Sequence, residues 1–548
     1  MTSGYVLDWP EARRRKSQNP KARWDAIVGE LDGEVWPAIE PSFRIRPGET
    51  VFTIGSCFAR NIEAHLRALG CKVPMLDLDF PTEELDGQPR SAMNRFHPPA
   101  FRQCLEWAAA IHDRDGKVTW ADCAPMAIDC GGENYFDMDM AGARTASRAR
   151  FVERRQHIYD IFATVFSADC MMMTPGLVEA FKDLETGLYL YGAPAHKAML
   201  AQPARWQYEV LSFEQCLRDM LAAIDVVRAR NPGVKILVTT SPVPLGLTFS
   251  GRDIRIANTY SKSVLRAVCD VVAVQRPMVD YFPSYESVML SAPQTAWKRD
   301  RLHVANGFIS KIVTRMIDSY LEGVEPAARD YQLALSHLAD GESDRAEAAA
   351  RAALAVRPEH FEARAVLAEA LLGLRRYAEA EAEARALLAA APERADIMFK
   401  LARAEGGQDR PEAAMATLKA AMDLSSVSQA DVEKVGKLIA RAPPEAALLV
   451  ARRGVELFPM QVEVYGPLAQ LLERAGRKDE AIEVLNRALH LSKPPIALRV
   501  QMAFLLADRG DVEQAHAVLD RALSVDHSNA AALALKARLG APGLQAAS

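Results

Sequence analysis

From about residue 327 to residue 529 the chain repeats itself. Pro358, Pro392, Ser426, Pro459, Lys493 and His527 follow one another at intervals of 34, 34, 33, 34 and 34 residues. Twelve positions before each stands an alanine: Ala346, Ala380, Ala414, Ala447, Ala481 and Ala515. Twenty-four before stand Ala334, Ala368, Ala402, Val435, Ala469 and Ala503. A period of this length holds one helix–turn–helix unit, and small residues at two fixed places let paired helices approach closely. A single unit cannot bury its apolar face, so successive units must stack. The spacing predicts six helix pairs followed by a partial helix from Ala530. The fourth unit (430–461) departs from the pattern at Val435, Pro443-Pro444 and Gly454, which predicts a bend there.

The first half reads as buried strands alternating with amphipathic helices, the pattern of a parallel α/β sheet. Val51-Phe52-Thr53-Ile54 are β-formers. Gly55-Ser56 makes a sharp turn, after which Phe58, Ile62, Leu66 and Leu69 recur at helical spacing up to Gly70. Strand, small-residue turn and helix put Ser56 at a helix N-terminus, where free N–H groups and the dipole favour negative charge. That position serves equally a helix-capping serine and a nucleophile beside an oxyanion. Downstream, Lys72–Asp79 is expected as a second strand interrupted by Pro74, and 147–166 as a helix. Ala168–Thr174 and Val234–Thr240 are expected as strands buried on both faces, with a helix over 212–230 between them.

Two resemblances join these features. The 34-residue period is that of tetratricopeptide repeats, which implies a concave face for a protein or peptide partner. Gly55-Ser56-Cys57-Phe58-Ala59 resembles the signature of the bacterial GSCFA family, related to the SGNH (GDSL-like) esterases and acyltransferases. Further matches lie downstream. They are the Asn94 stretch, Thr174-x-Gly176-Leu177-x-Glu179, Ser241-Pro242-Val243-Pro244, Arg252-Asp253, the Ser261-Lys262-Ser263-x-Leu265-Arg266 helix, Tyr281–Glu286 and Asp300-x-x-His303. The resemblance covers about 46–322. It implies an SGNH-like three-layer sandwich on a parallel sheet, and the chain order Ser56, Asp300, His303 for a catalytic triad. In that chemistry His303 takes the Ser56 proton and returns it to the leaving group, while Asp300 holds the imidazole. The same resemblance makes Gly176 an oxyanion-hole donor, although the usual Gly-x-Asn-Asp motif is absent. It brings Gly55, Cys57, Asn94, Thr174, Glu179, Ser241 and Arg252 in as oxyanion or substrate neighbours. His97, followed by two prolines, reads as a loop histidine.

Domains are expected at 1–45 (an arm packing on the catalytic domain), 46–325, 326–540 and a tail over 541–548. A net charge of −5 gives no sign of nucleic-acid binding, even with Arg13-Arg14-Arg15-Lys16 in the arm. No apolar run reaches the length of a membrane span. The eight cysteines (57, 71, 104, 123, 130, 170, 216, 269) form no Cys-x-x-Cys pair. Without a leader-like N-terminus they are expected as free thiols in a cytoplasmic protein. No metal site has suitable ligand spacing, and no cofactor is expected beyond acyl-coenzyme A as a possible donor. Three functions remain open. One is an esterase removing acyl, above all acetyl, groups from a carbohydrate or similar alcohol. The second is an acyltransferase to a glycan hydroxyl. The third is a non-catalytic repeat scaffold. The first two share an acyl-Ser56 intermediate and differ only in the acceptor.

Overall fold

Among the described residues four short strands build the main sheet: β1 (Val51–Gly55), β2 (Cys170–Thr174), β3 (Lys235–Val238) and β4 (Val279–Tyr281). They pair in that order and all run parallel, so their C-terminal ends line one edge. This computed structural model describes residues 6–78, 80–81, 84–85, 92–298, 300–424, 444–459, 461–491 and 495–539. The chain divides into two units, 1–340 and 341–548.

Alternation along the strands decides the layers. Phe52, Ile54, Met171, Met173, Ile236 and Val238 face one cluster. It is completed by α3 (Pro98–His112), α4 (Arg148–Ala163), α5 (Phe213–Arg228) and α6 (Ile254–Gln275), numbered after an N-terminal helix α1 (Trp9–Gln18). Val51, Cys170, Met172 and Leu237 face the other way, onto α2 (Cys57–Ala68) and α7 (Asn306–Tyr320). Burying each large apolar side chain contributes about 1.5–3 kcal/mol, so both faces hold the sheet. The result is the three-layer sandwich.

The arm joins this unit through its second half. Trp36 stacks on Phe308 with ring centroids 5.1 Å apart, Phe43 and Ile45 are buried, and Ile45 bridges to Leu321. Helix α1 buries nothing. The first repeat helix, α8 (Pro326–Ala339), also belongs to this unit. Gln332 Oε1 meets His65 Nδ1 on α2 at 2.6 Å, so the unit runs past the expected boundary at 325.

One expectation needs correcting. Among the described residues of Lys72–Asp79 there is no strand: Lys72 makes one isolated bridge to Thr50, and Pro74 opens a 3-10 turn (Pro74–Asp77), as a residue lacking an N–H donor favours. The sequence reading also left out two antiparallel additions, Ala127–Asp129/Asn134–Asp137/Ala146–Ser147 and Glu179–Asp183/Trp206–Val210. The seven cysteines other than Cys57 are free thiols.

His97 caps α3, its Nδ1 accepting from Ala100 N–H at 3.2 Å. Burial depresses its pKa to about 4, so the native state holds it neutral where the unfolded chain is charged. Native stability from this group is therefore complete above pH 6.5 and is lost as pH falls towards 4, by about 3 kcal/mol. His97→Asn, which keeps a capping acceptor, should flatten the fall in denaturation midpoint over that window. An unchanged pH slope would contradict the assignment.

The second unit is a run of helices from Ser343–Val356 to Ala530–Leu539. Ala346, Ala368, Ala380, Ala402, Ala414, Ala447, Ala469, Ala481, Ala503 and Ala515 are all at most 1% exposed. The period read from the sequence is thus a packing period, with the small side chains where neighbouring helices meet. Ser426, Val435, Pro443 and Lys493 lie outside the described residues, as does the bend expected there.

Candidate active site

Ser56 follows the last residue of β1 and caps α2, its Oγ accepting from Phe58 N–H at 3.4 Å. Its own N–H donates to Thr174 O at 3.1 Å, because the parallel register sets Gly55 opposite Thr174. A Cβ on Gly55 would lie 2.7 Å from Thr174 Cβ and 2.8 Å from Thr174 O. Only glycine lets the two strand ends close at this point.

The wall beside Ser56 is made by the turns after β2 and β3. A methyl group on Gly176 would touch Ser56 Cβ at 3.4 Å, Ser241 Cβ at 3.6 Å and Ser56 Oγ at 3.8 Å. Gly176 therefore sits between the two serines. Its N–H is already used, donating to Phe96 O at 2.7 Å, which corrects the oxyanion role expected for it. Ser241 is fully buried, and among the described residues its hydroxyl has no hydrogen-bond partner.

Asn94 reaches the same place from another direction. Its Oδ1 accepts from Arg60 Nε at 3.2 Å, and the neighbouring Arg95 N–H donates to Gly55 O at 2.8 Å. Arg60 also binds the fully buried Glu63, which accepts from Thr53 on β1. Strand, helix and Asn94 turn are thus joined by one polar chain. Below it, Arg95 and Arg155 share Asp139, at 2.9 and 3.0 Å, and Arg155 holds Asp137.

Asp300 and His303 stand on a turn closed by the Trp297–Val304 bridge and by Lys298 N–H donating to His303 O at 2.8 Å. His303 Nδ1 lies 2.7 Å from Asp300 Oδ2. The Asp300 Oδ1 accepts the N–H groups of Leu302 and His303. These bonds, led by the His303 N–H, hold the Asp300 carboxyl well below the usual carboxylate range. Val304 and Phe308 pack in one cluster with Phe58 and Ile62, which brings this turn to the α2 side of the sheet. The His303 and Asp300 side chains are 57% and 48% exposed, whereas Ser56 is 3% exposed. Among the described residues no hydrogen bond joins Ser56 Oγ to His303.

The remaining residues are placed apart from this centre or serve the scaffold. Glu179 accepts from Thr248 Oγ1 at 2.6 Å and from Phe249 N–H at 3.3 Å, tying a loop to a strand. Arg252 is exposed, its N–H donating to Ser250 Oγ, and among the described residues no hydrogen bond joins it to Ser56. The Cys57 side chain lies outside the described residues. Arg60, Phe96 and Lys262 bond residues around Ser56, through Asn94, Gly176 and Ser241; of these only Lys262 has a sequence signal, its place in the helix motif.

The GSCFA family model matches residues 50–316, and tetratricopeptide-repeat models match 331–395, 366–428, 440–494 and 479–539. No curated protein matches the chain. Among solved structures the chain is similar to pilF of Pseudomonas aeruginosa, at 19% identity and TM-score 0.30, over 39% of this chain and 97% of that one. It is similar to YrrB, a TPR protein with an unusual peptide-binding site, at 19% and 0.26, over 41% and 97%. A tetratricopeptide repeat protein from Parabacteroides merdae aligns at 15% and 0.29, over 42% and 90%.

Proposed function

We propose that this protein, a GSCFA family domain followed by tetratricopeptide repeats, is a serine esterase. In this reading it removes O-acyl groups, above all acetyl, from a carbohydrate or similar alcohol. The observation that carries it is the pairing of His303 with Asp300 at 2.7 Å on a turn packed beside the helix that Ser56 caps. Asp300 fixes the Nδ1–H tautomer, which leaves Nε2 to accept the Ser56 proton. Hydrogen bonds of catalytic groups are often long before substrate binds and tighten in the complex. With the Ser56 and Gly176 N–H groups used within the fold, the Ser241 hydroxyl, the Asn94 amide and the α2 N-terminus supply donors for the tetrahedral oxyanion. The repeats carry a protein partner on their concave face.

The test uses pure full-length protein with an acetylated glycan in water, and separately with acetyl-coenzyme A and a glycan acceptor. The esterase reading expects acetate release from the first and no acceptor acetylation in the second. Acetylation of the acceptor without net release of acetate would make the protein a transferase using the same Ser56.

A further inference from the structure

We infer that Lys262 is the positioning residue of this site, holding the turns after β2 and β3 in place against Ser56. This rests on the esterase reading above. Lys262 is 1% exposed and its neighbour Ser261 is 0% exposed, both on α6. A lysine so deep is uncommon, and burying its charge costs stability unless its donors are satisfied. The Lys262 Nζ donates to Gly176 O at 2.7 Å, to Ser241 O at 2.8 Å and to Val243 O. Carbonyl oxygens only accept. Three of them require three N–H donors, and a neutral amine has two, so the geometry itself demands the ammonium. Ser261 adds a fourth tie, its Oγ accepting from Val178 N–H at 3.1 Å.

Those carbonyls belong to two different turns. Gly176 and Val178 follow β2, whereas Ser241 and Val243 follow β3. The two turns meet at Gly176, against which Ser56 and Ser241 are packed. One compact cation therefore fixes the distance between the nucleophile's two walls. Without it, three carbonyl dipoles would face one another in a buried space and the turns would part. An arginine cannot substitute, because its planar fork does not converge three donors from one point. A displacement of about 1 Å in such a wall costs on the order of 10²-fold in rate.

The experiment measures hydrolysis of p-nitrophenyl acetate by the full chain, with active sites counted by fluorophosphonate titration of Ser56. Lys262→Met should remain folded, keep KM within about threefold, and lose about 100-fold in kcat per titrated site. A merely structural lysine would lower the number of titrated sites and leave kcat per site unchanged. Lys262→Ala should show the same loss, with activity partly restored by added propylammonium and not by propanol. A folded Lys262→Met with kcat per site within about threefold of wild type overturns the inference alone. If neither variant folds, native acetylation of the wild-type protein decides. Lys262 should stay unmodified while activity persists, and its modification without loss of activity overturns the inference. A wild-type chain that neither hydrolyses the ester nor takes the probe at Ser56 overturns the esterase reading, and this inference with it.

Discussion

Ser56→Ala is expected to give a folded protein that has lost ester turnover, by on the order of 10⁴-fold or more. As a cap on α2 the hydroxyl contributes about 1 kcal/mol, and its Oγ bond to Phe58 N–H is long at 3.4 Å. The rest of the strand end is held by backbone bonds that alanine keeps, Ser56 N–H to Thr174 O and Ala59 N–H to Ser56 O. The loss should therefore appear in rate and not in melting temperature. Asp300→Asn should retain weak activity, since serine and imidazole remain but the tautomer is no longer fixed. The check is turnover of a small ester beside a thermal melt for each variant. Near-wild-type turnover by Ser56→Ala would mean that Ser56 is not the nucleophile.

The second large effect is on stability. Arg155→Met should cost about 3–5 kcal/mol, the usual result of stranding a buried charge. Arg155 is 1% exposed and bonds Asp137 through two nitrogens and Asp139 through a third. Asp139 keeps Arg95 as a partner, but Asp137, 0% exposed, loses the guanidinium that neutralises it. Against a typical total of about 5–15 kcal/mol, such a loss is a sharp drop in the urea midpoint. Because Arg95 also bonds the Asn94 carbonyl at 3.0 Å, the Asn94 turn beside Ser56 should loosen as well. A midpoint change equivalent to under about 1 kcal/mol would mean the pair is no better than a surface ion pair.

Much of this architecture was legible in the residues. The alanines at fixed phase announced the helix pairs because close helix contact tolerates little else, and those described are fully buried. Met171-Met172-Met173 and Ile236-Leu237-Val238 announced strands buried on both faces, with neighbours pointing into opposite clusters. Lys72–Asp79 misled because its apolar residues pack without a ladder, Pro74 having turned the chain. The strand Val279–Tyr281 is too short for periodicity to mark. The place of Ser56 at a helix N-terminus and the pairing of Asp300 with His303 were readable from local order. Gly176 was misread because its N–H is taken by Phe96, a partner 80 residues upstream that no local pattern reveals. Lys262 lies in the same class, since its meaning comes from three carbonyls on two turns that meet only in the folded protein.

The central claim is that Ser56 is a nucleophile activated by His303. It is tested most directly by reacting the native full-length protein with a fluorophosphonate probe and mapping the labelled peptide. The account predicts covalent labelling at Ser56 in the wild type, and labelling slowed by orders of magnitude in a folded His303→Ala variant. Labelling of Ser56 at the same rate without His303, or no labelling of Ser56 in the wild type, would contradict it.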